Sequence, residues 1–506
     1  MLKNENARYT FTSHGGGLKL VELTHYPETV SQRRGKTKTD RFATLNTLAP
    51  VPVLAIAGEG LQEDGIFKLT PVGSGVRAEK VLTNGLIVVK EFRLGTNYLV
   101  EATVRIENTT TQTQTLPARE VVIGTATPMS VQDNGMAVGI AWFDGNKLQS
   151  ANSSYFSSRG FMCTPRIPPA EYRAGQSNVG WAAAQNQFFT LVAMPTEPAQ
   201  EVVTRPIHLP PFPATTTNAA PTAAPQGFQT ALAYPQTALN PGEKLERHIF
   251  LFAGPKEYRT LARIGAQFHN EADLVMGYGG FFGGIGRALL LAMNWIHQTI
   301  HIGYGWAIVT ITVLIKVLFW PLTQASTRSM KRMQALQPQM SAIKEKYKDD
   351  PMKAQKKTME FMKENKVSPL EGCLPMIIQI PVFIGFYRMI QSAIELRGAS
   401  FLWVGDLSKP DTLFIIPGFN FPFNLLPLIM GATMLLQARM TPQSPSADPM
   451  QQKIMKYMPL MFLVFLYNFS AGLTLYWTVQ NLLTIAQMKL TKAQPAAAST
   501  AAKPKR

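Results

Sequence analysis

A single lysine lies inside a long apolar run of the chain. The run is Gly305–Thr323, it contains Lys316, and Trp306 and Trp320 stand near its ends. Because tryptophan is enriched at membrane–water interfaces, this pattern is typical of a membrane span. A charge at bilayer depth costs roughly 2.5–3.5 kcal/mol on insertion scales. Lys316 lies about 10–16 Å from the ends of the run at the helical rise per residue, which is deep for snorkelling. We therefore predict that Lys316 faces protein or water and has a functional role.

Residue types that could form an active site or a metal centre lack the spacing that such sites need. The two cysteines, Cys163 and Cys373, match no zinc or disulfide pattern. The glycine-rich stretches 15–17 and 279–286 lack the Gly-Lys-Ser/Thr of a phosphate-binding loop. We therefore expect a protein that is not an enzyme, with no catalytic residues, no metal, no cofactor and no small-molecule substrate.

The net charge of +17 predicts an anionic partner. Long apolar runs in the second half of the chain favour membrane lipids as that partner. Nucleic acid and acidic protein are the other anionic partners that this charge allows.

The first half of the chain has the pattern of a β domain. Apolar and polar side chains alternate in several short runs, and turn signals such as Asn84-Gly85 and Asp144-Gly145 separate them. The runs are 9–13, 17–23, 85–94 and 98–108, with further apolar runs at 188–194 and 248–252. We predict an antiparallel β-sandwich over residues 1–254, with a long Pro/Ala/Thr-rich loop at 209–226.

The second half is predicted to be a polytopic α-helical membrane core over 303–490. Five apolar runs are long enough to be spans, at about 305–324, 373–391, 421–438, 456–470 and 471–488. A linker at 255–302 contains an amphipathic helix, 286–302, that would lie along the interface. The fold class is thus α+β, a β-sandwich followed by a helical membrane core.

Lysine and arginine set the predicted orientation of this core. The segment between the first two spans and the tail 491–506 are rich in basic residues, which places both in the cytoplasm. The loop 392–420 has a slight excess of acidic residues and would face outwards, as would the β domain. The chain starts with MLKNENARYTFTS, which contains no apolar stretch. Since the β domain must be exported, we expect the native gene product to carry one more N-terminal membrane segment.

The cytoplasmic segment 326–368 is predicted to be a helical hairpin whose second helix starts at Pro351. Apolar residues recur there at three- and four-residue spacing. The methionines among them include Met330, Met333, Met340, Met359 and Met362. They could form an adaptable surface for apolar partners or an ordinary coiled-coil seam. The sequence leaves both interpretations open.

Several short motifs in the helical half occur in a characteristic order. They are Pro321-Leu-Thr323, Leu336-Gln-Pro338, Pro369-Leu-Glu-Gly-Cys-Leu-Pro375, Gln379-Ile-Pro381, Asp448–Met455, Ser470-Ala-Gly-Leu473 and Leu475-Tyr476. With these motifs the chain resembles the YidC/Oxa/Alb family of membrane protein insertases, in its bacterial YidC type. The β half is similar in character to the family's large periplasmic domain, a β-supersandwich. Gram-negative members have six spans, the first before that domain, whereas this chain shows five.

The resemblance implies a membrane protein insertase and chaperone that inserts and folds nascent membrane proteins in the bacterial inner membrane, alone or with the Sec translocon. It implies a hydrophilic groove within the membrane, with a positive residue that attracts the client's translocated segment. The family usually has arginine there, and Lys316 matches that position. Lysine keeps the charge but lacks the bidentate fork of arginine.

The resemblance also implies the other site residues. Thr312, Gln379, Tyr476, Gln480 and Asn481 are the candidate groove partners of Lys316. The five methionines of the hairpin become candidate contacts for clients or the ribosome. The β domain would be periplasmic and the C-terminus cytoplasmic. The alternative function is a secondary transporter with Lys316 as the coupling residue, but the absence of an evident internal repeat counts against it.

Overall fold

The computed structural model describes residues 1–30, 41–129, 133, 135–158, 164–211, 225–365, 374–419, 421–440 and 449–491. Some sequence predictions fall outside these residues. They concern Cys163, Cys373, most of the Pro/Ala/Thr-rich loop, the start of the Pro369–Pro375 motif, Asp448, the tail after Thr491 and the side chain of Met330. The chain divides into two compact units. Described residues up to Gly279 form the first unit and those from Gly280 the second, with residues 392–394 assigned to the first.

The first unit is built almost entirely from β-strands. In chain order they are β1 Leu2–Lys3, β2 Ala7–Thr12, β3 Gly17–Pro27, β4 Phe42–Leu45, β5 Ile56–Gly58, β6 Lys68–Val72, β7 Gly75–Val81, β8 Leu86–Leu94, β9 Leu99–Asn108, β10 Gln114–Leu116, β11 Arg119–Ala126, β12 Gly139–Phe143, β13 Leu148–Asn152, β14 Tyr172–Ala174, β15 Trp181–Gln185, β16 Phe189–Pro195, β17 Glu201–His208, β18 Gln226–Tyr234, β19 Thr237–Leu239 and β20 Lys244–Pro255. Helix α1, Tyr258–Phe268, and a 3-10 helix, Ala272–Met276, follow them.

Two antiparallel sheets form the sandwich. The larger has nine strands in the order β13-β12-β15-β16-β20-β9-β8-β7-β6, and the smaller has five in the order β14-β17-β18-β11-β5. Strands β15 and β16 of the larger sheet contact β11 and β18 of the smaller one. Their strands carry fully buried aromatic side chains such as Trp181, Phe189 and Phe228. The predicted antiparallel β-sandwich is therefore confirmed.

Strand β9 shows why the alternating pattern was a reliable guide. From Val100 to Asn108 every second side chain is buried, since side chains on a strand alternate between its two faces. The turn before β8 uses Gly85, whose φ of 80° is a backbone conformation that suits glycine. The predicted runs 85–94 and 98–108 correspond to Leu86–Leu94 and Leu99–Asn108.

One buried lysine in the sandwich has an unusual environment. Lys90 of β8 is fully buried, its Nζ donates to the carbonyl oxygen of Gly15 at 2.7 Å, and it lies 4.5 Å from the centre of the Phe67 ring. Burial lowers the pKa of Lys90 from 10.5 to about 7, because a low-dielectric interior disfavours the charged form. The turn at Gly15 thus gives this lysine a hydrogen-bond acceptor without a carboxylate.

The second unit is helical. Its helices are α2 Gly280–Ile300, α3 Tyr304–Leu318, α4 Trp320–Ala335, α5 Gln337–Lys346, α6 Pro351–Glu364, α7 Leu374–Ser392, α8 Leu425–Met440, α9 Pro449–Leu466 and α10 Ala471–Leu490. A two-stranded hairpin, β21 Thr412–Ile416 and β22 Phe421–Asn424, precedes α8.

Two predicted spans have different boundaries in the structure. Helix α3 ends at Leu318, before the predicted end of its run, and α4 begins at Trp320. Pro321 explains this break, since proline has no N–H and its ring clashes with the carbonyl four residues earlier. The run 421–438 starts as a strand, Phe421–Asn424, and becomes helical at Leu425. Hydropathy alone does not separate a short apolar strand from a helix.

The predicted helical hairpin is formed by three helices, α4, α5 and α6, because its first arm is split into two. The segment predicted as one helix before Pro351 is divided at Leu336, where Pro338 stands in the first turn of α5. The predicted start of the next helix is confirmed, because α6 begins at Pro351 and the Asp350 side chain accepts a hydrogen bond from the Lys353 N–H at 3.0 Å. Proline suits a helix start because its missing N–H would have no intrahelical partner there.

Within the described ranges, no single helix combines the length and the apolar character needed to cross a membrane. One pair does so jointly: Gly280–Ile300 and Tyr304–Leu318, which meet at a bend of 116°.

Candidate functional site

Helix α10 carries a stripe of polar residues. It packs against α3 on one side and α8 on another. Tyr476, Gln480, Thr484 and Gln487 are three or four positions apart, and residues at that spacing lie on the same face of a helix. The stripe therefore presents hydroxyl and amide groups to the helices around it.

Lys316 meets this stripe from α3. Its side chain is largely buried, with 6% of its surface exposed, and its Nζ donates to the Thr484 Oγ1 at 3.0 Å. The Thr484 hydroxyl in turn donates to the Gln480 carbonyl oxygen at 2.7 Å. Within the described part of the chain Lys316 forms no ion pair. A lysine ammonium has three donors, so Lys316 keeps capacity for a further acceptor.

Helix α7 contributes the next member of the network. The Gln480 Nε2 donates to the Gln379 Oε1 at 2.7 Å, and the Gln379 Nε2 donates to the Tyr476 hydroxyl. Tyr476 is 1% exposed, and its ring stacks on Phe386 at 4.0 Å between ring centres. The network therefore joins α7 to α10 through side chains that satisfy one another's hydrogen bonds.

The stripe continues to the C-terminal end of α10. The Gln487 Nε2 donates to the Thr323 Oγ1 of α4 at 2.8 Å, and both side chains are buried. The Lys331 Nζ, also from α4, donates to the carbonyl oxygens of Met488, at 3.0 Å, and Thr491. These carbonyls belong to the helix end, where oxygens lack intrahelical partners and a positive charge is favourable.

We call this set of side chains the polar seam. Its members are Lys316, Thr323, Gln379, Tyr476, Gln480, Thr484 and Gln487. The seam contains one cation and neutral hydrogen-bonding groups, without a nucleophile–base pair. Its chemistry is suited to attracting an acidic or polar segment and exchanging hydrogen bonds with it.

Two predicted partners of Lys316 lie elsewhere. Thr312 is fully buried, and its hydroxyl donates to the carbonyl oxygen of Ile308 on its own helix at 2.7 Å. The Asn481 Nδ2 donates to the Thr433 Oγ1 of α8 at 3.1 Å. Successive residues on a helix point about 100° apart, so Gln480 bonds to α7 and Asn481 bonds to α8. The structure thus brings Lys316, Gln379, Tyr476 and Gln480 into one network and leaves Thr312 and Asn481 outside it.

The methionines of the hairpin divide into two groups. Met333, Met340 and Met362 are buried together with Leu336 in a small core to which Phe361 adds. The burial of these three methionines agrees with the interpretation of the hairpin as an ordinary coiled-coil seam. Met359 is 51% exposed, and the neighbouring Met352 is 82% exposed. An adaptable apolar surface is therefore available at Met352 and Met359, whereas Met333, Met340 and Met362 hold the hairpin together.

Sequence reasoning missed several members of the polar seam and the residue that caps α10. Thr484 and Gln487 continue the spacing of Tyr476 and Gln480, so a search along that face of α10 would have found them. Thr323 was quoted in a motif, but its partner was not foreseen. Lys331 was counted only as a basic residue, and nothing in the sequence shows that it reaches the end of α10.

The apolar faces of the helices around the seam are exposed. On α9, Met461, Val464 and Phe465 are 62–74% exposed, and on α7 Ile377 is 56% exposed. On α3, Leu318 is 71% exposed. Contiguous exposed apolar surface marks a contact with a membrane or with another protein.

Two family models match the chain. One, described as 60Kd inner membrane protein, matches residues 295–497, and the other, described as YidC periplasmic domain, matches residues 63–291. A membrane protein insertase YidC from Geobacter sulfurreducens is 31% identical over 488 residues, which are 94% of this chain and 83% of that protein. Another from Syntrophobacter fumaroxidans is 46% identical over 241 residues, 47% of this chain and 42% of that protein.

Among solved structures, the chain is similar to an active YidC insertase with the first transmembrane domain resolved. The TM-score is 0.38 at 19% identity, with 97% of this chain and 92% of that chain covered. Several of the relatives with the strongest matches are covered over less than half of their own length, for example 42% and 47%.

Proposed function

Because the chain belongs to the family of membrane protein insertases named YidC, we propose that it inserts and folds nascent membrane proteins in the bacterial inner membrane. The observation that carries the proposal is Lys316. It is a largely buried cation whose described hydrogen-bond partner is one hydroxyl, and it lies in a seam of neutral polar groups between apolar helices.

The proposed mechanism starts with charge. A client segment that must cross the membrane is short and often acidic, and its carboxylates are attracted to Lys316. The amides and hydroxyls of Gln379, Gln480 and Thr484 then replace part of the water around the segment. This lowers the cost of moving polar backbone through hydrocarbon, where each unsatisfied group costs several kcal/mol.

The client's apolar helix takes a different path. The exposed faces of α7 and α9, with Ile377, Met461 and Val464, flank the seam and are available to an apolar helix. The polar part of the client would follow the seam while its apolar part moves along these faces into lipid. The exposed Met359 in the hairpin is proposed to make the first contact with such an apolar segment.

The orientation and partners complete the proposal. The β-sandwich would be periplasmic, and the helical hairpin and the C-terminus cytoplasmic, because basic residues concentrate in the latter. The chain would act alone or beside the Sec translocon. The ribosome would meet the basic cytoplasmic segments, which the phosphate backbone of ribosomal RNA attracts.

Reconstitution tests the proposed function. The purified chain is placed in liposomes without Sec components, and a single-span client with a short acidic translocated segment is synthesised in their presence. We expect the segment to become protected from external protease, in contrast to liposomes without the chain. Failure to protect it, together with a client-independent ion or solute flux that depends on Lys316, would favour a secondary transporter instead.

A further inference from the structure

The hairpin β21–β22 carries an exposed apolar tip on a firmly held base. Phe414 and Ile415 on β21 are 48% and 59% exposed, Phe419 in the turn region is 84% exposed, and Phe421 on β22 is 46% exposed. The stretch Thr412–Gln437 contains no Asp, Glu, Lys, Arg or His. This composition suits an apolar environment, because burying an unpaired charge there would be costly.

The base of the hairpin is fixed by hydrogen bonds. Asn424 is fully buried, its Nδ2 donates to the Tyr467 carbonyl oxygen at 2.9 Å, and its backbone N–H donates to the Tyr467 hydroxyl at 3.1 Å. The Tyr467 hydroxyl donates to the Pro422 carbonyl oxygen at 2.8 Å. The Asp411 Oδ2 accepts from the Leu426 N–H at 2.7 Å and from the Trp403 Nε1 at 3.1 Å. The apolar tip therefore has a defined position.

That position is at one end of the helical unit. Tyr467 follows α9 and precedes α10, and β22 runs directly into α8 at Leu425. In the same loop, the Phe401 ring packs edge-on against Trp306 at the start of α3, with 5.2 Å between ring centres. Trp306 is 54% exposed, and an exposed tryptophan at the end of an apolar helix is typical of the membrane interface. The hairpin thus lies level with the ends of several apolar helices.

The chemistry of the strands disfavours a protein strand as the partner. Pro422 in β22 has no N–H and interrupts the row of donors that another strand would need. On the same edge the Pro422 carbonyl oxygen and the Asn424 N–H are already bonded to the Tyr467 hydroxyl, so these backbone groups need no further partner. Phenylalanine and isoleucine at the tip match the apolar residues that interfacial segments bury by about 5–10 Å at the boundary of headgroups and acyl chains.

We propose that the tip of the β21–β22 hairpin, Phe414, Ile415, Phe419 and Phe421, inserts into the headgroup–acyl boundary of the outer leaflet of the inner membrane. This inference rests on the membrane orientation in the proposed function, in which the loop 392–420 faces outwards. Because β22 continues directly into α8, the inserted hairpin anchors the outer end of α8. It thereby sets the depth of the helices around the polar seam in the bilayer.

Site-directed labelling tests the inference in the full chain. In a background with Cys163→Ser and Cys373→Ser, an environment-sensitive fluorophore is attached at Phe419→Cys and the chain is reconstituted in phospholipid vesicles. Two matched controls come from the chain itself. Ile167→Cys, 90% exposed in the β domain, reports water, and Val464→Cys, 74% exposed on α9, reports lipid.

The inference predicts three results at position 419. Emission is shifted to shorter wavelength than at position 167, aqueous iodide quenches it less than at 167, and a nitroxide near the lipid headgroup quenches it more than a nitroxide near the end of the acyl chain. An iodide response equal to that of position 167 would overturn the inference. Protection from both iodide and lipid nitroxides would also overturn it, because a protein surface would then cover the tip.

The two proposals fail in distinguishable ways. If position 464 responds to lipid nitroxides and position 419 does not, the hairpin inference alone is lost. If neither responds, the membrane embedding of the helical unit, on which the proposed function depends, fails as well. The insertion assay with the unlabelled chain in the same vesicles reports the insertase activity independently of either label.

Discussion

Replacing Lys316 by methionine should slow the insertion of a client with an acidic translocated segment and leave a client with a neutral segment nearly unaffected. The reasoning is electrostatic. The Lys316 ammonium is largely buried and forms no ion pair among the described residues, so it is free to attract a client carboxylate. A neutral segment gains little from that charge.

The expected size follows from the burial of the lysine. Two unit charges at 4 Å attract each other by about 1 kcal/mol in water and by about 4 kcal/mol at an effective dielectric constant of about 20. With 6% of its surface exposed, Lys316 lies between these limits. Because about 1.4 kcal/mol corresponds to a tenfold change in rate, we expect the acidic client to lose about fivefold to several hundredfold in its insertion rate.

The substitution should leave the fold intact. When the Lys316 Nζ is removed, the Thr484 hydroxyl still donates to the Gln480 carbonyl oxygen at 2.7 Å. No buried donor is left without an acceptor, which is the situation that usually makes the loss of a hydrogen bond costly. The thermal midpoint of the purified variant in detergent checks this point before the insertion assay is interpreted.

The assay compares pairs of clients and variants. Two clients that differ only by Asp→Asn in the translocated segment are inserted by the wild-type chain and by Lys316→Met, Lys316→Ala and Lys316→Arg. Thr484→Val is the matched control, because it removes the described partner of Lys316 and retains the charge. We expect Lys316→Arg and Thr484→Val, like the wild-type chain, to insert the acidic client faster than the neutral one. Lys316→Met and Lys316→Ala should insert both clients at similar rates.

A specific pattern would refute the reasoning. If Lys316→Met slows both clients equally, the lysine supports the structure of the site and does not attract client charge. If it slows neither, Lys316 has no part in insertion. A normal rate for the acidic client with the alanine variant would contradict the account in the same way.

Three further outcomes follow from the buried and exposed residues of the two units. Burial lowers the pKa of Lys90 and of Lys256 from 10.5 to about 7. Between these pH values the folded state binds fewer protons than the unfolded state, so the stability of the β domain should rise with pH. Lys90→Met should remove about half of this rise and the exposed Lys68→Met should leave it unchanged, as measured by hydrogen exchange corrected for intrinsic rates. Met340→Ala should lower the free energy of unfolding of the helical hairpin by about 2–5 kcal/mol. Met359→Ala should change it by less than about 0.5 kcal/mol. Hydrogen exchange of the amides in α5 and α6 measures both effects. Lys331→Met should speed exchange in the last turn of α10, since charged hydrogen bonds contribute about 1.5–3 kcal/mol; unchanged exchange there would show that Lys331 does not cap the helix.

The β-sandwich could be predicted well because its signal is local. In β9, alternation of side chains decides which face is buried, and the predicted run 98–108 differs from Leu99–Asn108 by one residue. The helical unit was harder, because apolar character alone reveals neither the strand Phe421–Asn424 nor the end of α3 at Leu318. Proline at 321 was visible in the sequence, but the apolar run continued past it.

The candidate site shows a second limit. Gln480 and Asn481 are adjacent polar residues, and the sequence named both as partners of Lys316. They point about 100° apart on a helix, so the packing of α10 against α7 and α8 decides which one joins the polar seam. The hairpin methionines were ambiguous for the same reason, because burial of Met340 and exposure of Met359 depend on which faces of α5 and α6 meet.

The most direct test of the central claim is a photocrosslink from position 316 to a nascent client. A photoreactive amino acid that retains a positively charged amine is placed at 316, so that the attraction is kept, and a ribosome-arrested client is presented with its acidic segment at a series of lengths. Asn481 is the matched control, since it is equally buried but faces Thr433 of α8. The account predicts adducts from 316 at the lengths that place the acidic segment within the membrane, and none from 481. Absence of adducts from 316 at every length, or equal adducts from 481, would contradict it.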